Sequence, residues 1–123
     1  MVAMKGDEHL TKREQYARVS REGNSRADAL LVMKFLPNGL SLSRYGISVS
    51  RRVGTAVARN RVKRLLREIL RVTPLKPGMD IVFVARISAA TASYAALKKA
   101  VEGLLFRTKL LAEENERVSL GTN

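Results

Sequence analysis

The sequence predicts a single α+β domain, a mixed sheet packed by helices in the order helix, strands, helix, strand, helix. Three observations carry this. Apolar residues recur at helical spacing in three stretches, and strand-like runs bounded by glycine and proline lie between them. A chain of 123 residues suits one core. Its 46% hydrophobic content is that of a globular chain, not a disordered one.

Residues 1–9 read as a flexible lead-in, with Met4 as a possible second start. Residues 10–112 form the domain and residues 113–123 a polar, disordered tail. Thr11-Lys12-Arg13-Glu14 fits a capping box with Leu10 before it, and Gly23 stands where a helix would end, so a helix is expected over Thr11 to Glu22. Tyr16 and Val19 should face inward, with Ala17 and Ser20 less strongly so. Ala29 to Leu36 reads as a strand, Pro37-Asn38-Gly39 as a turn, and Leu40 to Ser50 as a second strand. Its alternation changes phase around Tyr45-Gly46, which predicts a bulge or bend there. Met79 to Ile87 is a compact apolar strand after Pro74 and Pro77-Gly78. Thr91 or Ser88 can cap a last helix, in which Tyr94, Leu97, Val101, Leu104, Leu105 and Leu111 recur as a core stripe.

Between the second and third strands lies the most informative stretch, Arg51 to Arg71, with eight basic residues and a single acid, Glu68. On a helical wheel Val62, Leu65, Leu66, Ile69, Leu70 and Val72 share an arc of about 160°, the width of a core-facing side. Lys63, Arg64, Arg67 and Arg71 gather opposite with Asn60, and Arg59 and Arg61 flank the boundary. A solvated helix normally mixes Glu with Lys at i, i+4 spacing. Here Glu68 is the single acidic partner, and so dense a like charge favours a polyanionic ligand. Most of these residues are arginines, whose guanidinium forks onto phosphate oxygens. Thr55 fits an N-cap, so the helix start adds free backbone N–H groups where phosphate can rest.

Composition narrows the function classes. A net charge of +12 points to nucleic acid before an anionic membrane. With no Trp and only three Phe and three Tyr, phosphate contacts should outweigh base stacking. The absence of Cys excludes disulfides and thiolate metal sites. No apolar h-region or run long enough for a membrane span is visible, so a cytoplasmic protein is expected. Nor does the sequence carry an evident active site: His9 is the only histidine and reads as a bystander, the acids are scattered, and no phosphate-cradling glycine loop appears.

Ala56 to Glu68, AVARNRVKRLLRE, resembles the signature of the bacterial ribonuclease P protein family. Arg59, Asn60 and Arg61 match its R-N-R hallmark, and Lys63, Arg64 and Arg67 match the trailing basic positions. Arg51-Arg52 and Gly54 match the preceding loop, while Leu10, Tyr16, Val19 and Gly23 match the first helix. The likeness runs from about Leu10 to Leu111. It implies an α-β sandwich like the second domain of ribosomal protein S5, order α-β-β-(β)-α-β-α, with a left-handed crossover around the basic helix. It further implies a subunit of ribonuclease P whose RNA partner does the chemistry, removing the 5′ leader of precursor tRNA by phosphodiester hydrolysis. Mg2+ would be held mainly by that RNA and the substrate, with no metal site, organic cofactor, membrane or obligate protein partner for the chain itself.

By the same resemblance Arg51, Arg52, Arg61 and Arg64 would meet the catalytic RNA. Arg59, Asn60, Lys63 and Arg67 would line one wall of a leader cleft, Lys12, Tyr16, Val32, Lys34 and Ser48 the other, with Arg86 extending the basic surface. Tyr16 is either a stacking platform or a core aromatic. Ser20 and Lys34 stand where the family often has aromatics, which shifts leader recognition toward phosphate charge. Composition and fold equally allow a noncatalytic ribosomal RNA-binding protein, but the full R-N-R block speaks against it. A DNA-binding helix would need a helix-turn-helix partner, which is not evident. A membrane-surface helix would leave Leu65, Leu66 and Ile69 free, and these are better used as core.

Overall fold

The computed structural model describes residues 9–111. The expected tail and the lead-in up to residue 8 lie outside the described residues. The elements run α1 (Arg13–Glu22), β1 (Asn24–Ala27), β2 (Leu31–Pro37), β3 (Arg44–Ser48), α2 (Ala56–Arg71), β4 (Met79–Ala85) and α3 (Tyr94–Arg107), with 3₁₀ turns at Arg51–Val53 and Ile87–Thr91. The four strands form one mixed sheet in the order β1-β2-β4-β3. β1 and β4 each run antiparallel to β2, and β3 runs parallel to β4, its link passing through α2.

Strand alternation sends side chains to two faces. Leu31, Met33, Ile81, Phe83 and Tyr45 face the larger core, where Val62, Leu65, Leu66, Ile69 and Leu70 of α2 meet Leu97, Ala100, Val101, Leu104 and Leu105 of α3. Burial of one such side chain stabilises the fold by about 1.5–3 kcal/mol. On the opposite face α1 is the one helix among the described residues, with Val19 and Leu10 buried against Val82 and with Tyr16, Leu36 and Val84 at the margin. Gly23 lets α1 end there: a Cβ on it would meet the carbonyl oxygens of Val19 and Phe35 at 2.5 and 2.6 Å.

Several expectations are corrected. The cap of α1 shifts by one residue: Lys12 is the N-cap, and Gln15, not Glu14, accepts from the Thr11 and Lys12 amides through Oε1 at 2.9 Å. Ala17 and Ser20 are exposed, because α1 touches the sheet along a narrow line. β1 is a polar, exposed strand without a sequence signal of its own; pairing with β2 and the Asp28 carboxylate, which accepts from the Leu30 and Leu31 amides at 2.9 and 2.8 Å, create it. β3 is shorter than expected and runs unbroken through Tyr45-Gly46, so there is no bulge. The segment before it is held instead by Asp80, which accepts from Arg44 at 2.8 and 2.7 Å and from the Asn38 amide at 2.9 Å.

Val72 is 63% exposed, since α2 stops at Arg71 and the chain turns toward Pro74. Ser93 caps α3 in place of Thr91 or Ser88, accepting from the Ala96 amide, and Tyr94 is left at the surface. Leu111 is not helical: Lys109, at φ 63°, reverses the chain so that Leu111 bridges to Leu75. His9 is no free lead-in residue. It forms a parallel bridge with Tyr45, and the Leu10 amide donates to the Tyr45 carbonyl at 2.8 Å, so this stub pairs with the outer edge of β3.

Candidate nucleic-acid interface

The cationic surface begins at the turn before α2. Val53 is buried and anchors the turn Arg51–Val53, which leaves Arg51 and Arg52 exposed. Gly54 follows at φ 153°, a conformation that favours glycine. Thr55 then starts α2 as expected, its hydroxyl accepting from the Ala58 amide at 3.2 Å.

Along α2 the basic residues divide into two kinds. Arg59 donates through Nη1 to the Gly54 carbonyl at 2.8 Å, tying the first turn to its own loop. Arg61 donates through Nη2 to the Ala92 carbonyl at 2.8 Å and through Nη1 to that of Ala90 at 3.4 Å, stapling α2 to the stretch before α3. Both therefore carry a structural duty that the motif does not reveal. Arg64 lies 3.9 Å from Glu68, an exposed pair of little strength. The side chains of Arg51, Arg52, Lys63, Arg67 and Arg71 make no hydrogen bond or ion pair among the described residues. Asn60 is exposed among them.

The opposite wall is built on the α1 face of the sheet. Register aligns Ala27, Val32, Val84 and Ser48 in one row and Ser25, Lys34, Val82 and Gly46 in the next. Val32 and Ser48 are thus two strand spacings apart, about 10 Å. Lys34 donates to the Ser20 hydroxyl at 3.0 Å and so links β2 to α1. Tyr16 lies over Gly46: a Cβ there would fall 2.6 Å from the Tyr16 Cε2, Cζ and Oη, so glycine is what admits the ring. The Tyr16 hydroxyl donates to the Leu10 carbonyl at 3.2 Å. Half-buried, Tyr16 is both a packing residue and an accessible one.

Tyr16 and Arg67 converge. With His9, Leu10, Tyr45, Gly46 and Ile47 they line an open cavity of about 100 Å³ between α1, the β3 edge and α2. Lys63 lies one turn before Arg67 on the same helix face. The remaining expected residues stand apart from this cavity. Lys12 is exposed at the start of α1, and Arg86 is exposed beside the β1–β2 turn, donating to the Asp28 carbonyl at 3.0 Å. Arg51 and Arg52 sit on their own turn ahead of α2. Of the five lining residues that the sequence reading did not place at the site, His9 and Tyr45 are the ones with polar side chains, and no local pattern signals a pairing across 36 positions. Among the described residues no group of three or more His, Asp or Glu could hold a metal ion.

Fold and surface together define a small α+β protein that carries an arginine-rich helix beside a cleft on the sheet. The sequence model described as Ribonuclease P matches residues 4–109, and the chain belongs to the ribonuclease P protein family. It is 50% identical over 116 residues to the ribonuclease P protein component of Dehalococcoides mccartyi strain 195, covering 94% of this chain and 97% of that one. Its identity to the protein component of Caldanaerobacter subterraneus subsp. tengcongensis is 46% over 110 residues, covering 88% and 94%. The structure of the Staphylococcus aureus RNase P protein superposes with a TM-score of 0.77 at 29% identity over 85% of this chain and 97% of that one. The protein from Thermotoga maritima gives 0.72 at 33% identity, over 81% and 96%. Membership makes the chain a component of an endoribonuclease ribonucleoprotein in tRNA processing. No helix among the described residues is long and apolar enough to cross a membrane.

Proposed function

We propose that this protein binds the RNA subunit of ribonuclease P and the single-stranded 5′ leader of precursor tRNA, in the cytoplasm, and so promotes Mg2+-dependent removal of the leader. The observation that carries the reading is the convergence of Tyr16 and Arg67 at the cleft, with Lys63 one turn away and no side-chain partner for either cation among the described residues. A leader strand in this cleft meets an aromatic on one side and phosphate-binding charge on the other. Arg51, Arg52 and Arg64 face away from the fold as contacts for the catalytic RNA, and Arg61 serves that RNA only with the part of its guanidinium left exposed.

The phosphodiester is hydrolysed by the RNA subunit. Mg2+ ions held by that RNA and the substrate supply electrophilic activation. This chain contributes charge: catalytic RNA, tRNA and leader repel one another, and a cation of net charge +12 between them lowers that repulsion. The test is precursor tRNA cleavage at low Mg2+ by a bacterial ribonuclease P RNA, with and without the protein, beside the protein alone. Stimulation by the mixture and silence from the protein alone are expected. Cleavage by the protein alone, or RNA binding without stimulation, would overturn the reading.

A further inference from the structure

The cavity holds a side-chain pair for which leader binding gives no role. His9 Nε2 and the Tyr45 hydroxyl are 2.6 Å apart, and the two rings meet edge-on with centroids 4.5 Å apart. The backbone fixes this pair from both sides: Leu10 N–H donates to the Tyr45 carbonyl, and the Leu10 carbonyl accepts from Tyr16. We assign the Tyr45 hydroxyl as the donor to Nε2, and in that tautomer the imidazole carries its proton on Nδ1. That second nitrogen makes no hydrogen bond among the described residues, and it belongs to a ring lining the same cavity as Arg67.

We infer that His9 and Arg67 form a subsite for one RNA phosphate, the guanidinium supplying charge and paired N–H groups and the imidazole a third donor. The chemistry of the lining selects phosphate over a base. With the Tyr16 hydroxyl on the Leu10 carbonyl and the His9 tautomer assigned above, the Arg67 guanidinium and the His9 Nδ1–H present donors to the cavity. A Watson–Crick base edge presents donors and acceptors together and the guanine N7/O6 edge presents uncharged acceptors, whereas a phosphodiester presents charged acceptors alone, which the guanidinium favours. The inference rests on the cleft reading above in taking RNA as the source of the phosphate. Two sources share this chemistry, the leader and the RNA subunit.

His9 is the only histidine in the chain, so its imidazole gives a single set of NMR resonances. The first experiment titrates the full-length protein with inorganic phosphate and with a five-nucleotide single-stranded RNA, against chloride at matched ionic strength. Saturable movement of the His9 resonances with both probes, lost in Arg67→Gln, is the expected result. Resonances that move no more than with chloride, or move equally in Arg67→Gln, would overturn the subsite.

The second experiment measures holoenzyme affinity for precursor tRNA with a five-nucleotide leader and for leaderless tRNA. His9→Ala should weaken the first about fivefold more than the second, the equivalent of one hydrogen bond of ~1 kcal/mol. His9→Gln, which keeps an N–H donor, should lie nearer the wild type, and thermal unfolding of both variants separates binding from loss of the stub. If His9→Ala weakens assembly with the RNA subunit and spares the leader, the subsite stands and its phosphate comes from that subunit. A silent imidazole alongside a leader defect in Lys63→Ala would sink the subsite and leave the cleft reading intact. Loss of neither would sink both.

Discussion

Replacing Gly46 with alanine should change the sign of its effect according to whether Tyr16 is present. In a strand, alanine is favoured over glycine by about 0.5–1 kcal/mol, because glycine loses more backbone freedom on folding. Gly46 has no left-handed backbone angle, so alanine can take its conformation. What forbids it is the Tyr16 ring, whose Cε2, Cζ and Oη would all lie 2.6 Å from the new Cβ. The ring must swing outward and give up its bond to the Leu10 carbonyl, a loss of about 1 kcal/mol in addition to that of its packing. The variant should be destabilised by about 1–2 kcal/mol overall. In a Tyr16→Ala background the same substitution should be neutral or stabilise by up to about 1 kcal/mol, a coupling of about 2 kcal/mol between the two sites. Urea unfolding of the four proteins reads the cycle. Holoenzyme binding of leader-bearing precursor should fall about tenfold in Gly46→Ala, about the effect of one lost stacking contact. Equal destabilisation in both backgrounds would refute the claim that Gly46 exists to seat Tyr16.

Three further outcomes follow from the same geometry. Arg61→Ala should cost about 1–2 kcal/mol in thermal or urea unfolding because it removes the staple to the Ala90 and Ala92 carbonyls, whereas Lys63→Ala and Arg67→Ala should stay within about 0.5 kcal/mol while weakening RNA binding. A double substitution at Arg59 and Arg61 is therefore a poor probe of RNA contact, since fold and binding change together. Asp80→Ala should destabilise by about 2–4 kcal/mol in the same assay, because Asp80 is buried and its loss strands Arg44, only 24% exposed, and leaves the Asn38 amide with the Leu42 carbonyl alone. Lys34→Ala should weaken leader binding for all leader sequences alike and make the salt slope shallower by about 0.7–1, which filter binding across a salt series measures.

Helices were the most legible part of the chain. The core face of α2 could be read from a wheel, and Val62, Leu65, Leu66, Ile69 and Leu70 are all buried. Thr55 could be identified as its cap, and Leu97, Val101, Leu104 and Leu105 as the stripe of α3. The strands at Leu31–Pro37 and Met79–Ala85 were visible as apolar runs. β1 was not, because its residues NSRA are exposed and owe their conformation to a neighbouring strand. The phase change at Tyr45-Gly46 suggested a bulge because the alternation was read as one continuous strand. The strand begins only at Arg44, and the segment before it is tethered by Asp80, 36 residues away from that arginine.

By itself, then, the sequence determined an α+β domain, its principal core faces, the concentration of cationic charge on one helix and the resemblance that names the family. These are local properties, written in a period of 3.6 or 2 residues and in a contiguous motif. The tertiary structure alone decided which of those cations remain available. Arg61 is held because the carbonyls of Ala90 and Ala92 arrive beside it, 29 and 31 residues on, while Arg67 is left open toward Tyr16. It also moved His9 from the margin of the chain into the cleft, against Tyr45. The reason is physical: a side chain's type sets what it can bond, but the partner it meets depends on strand register and on how α2 crosses between β3 and β4.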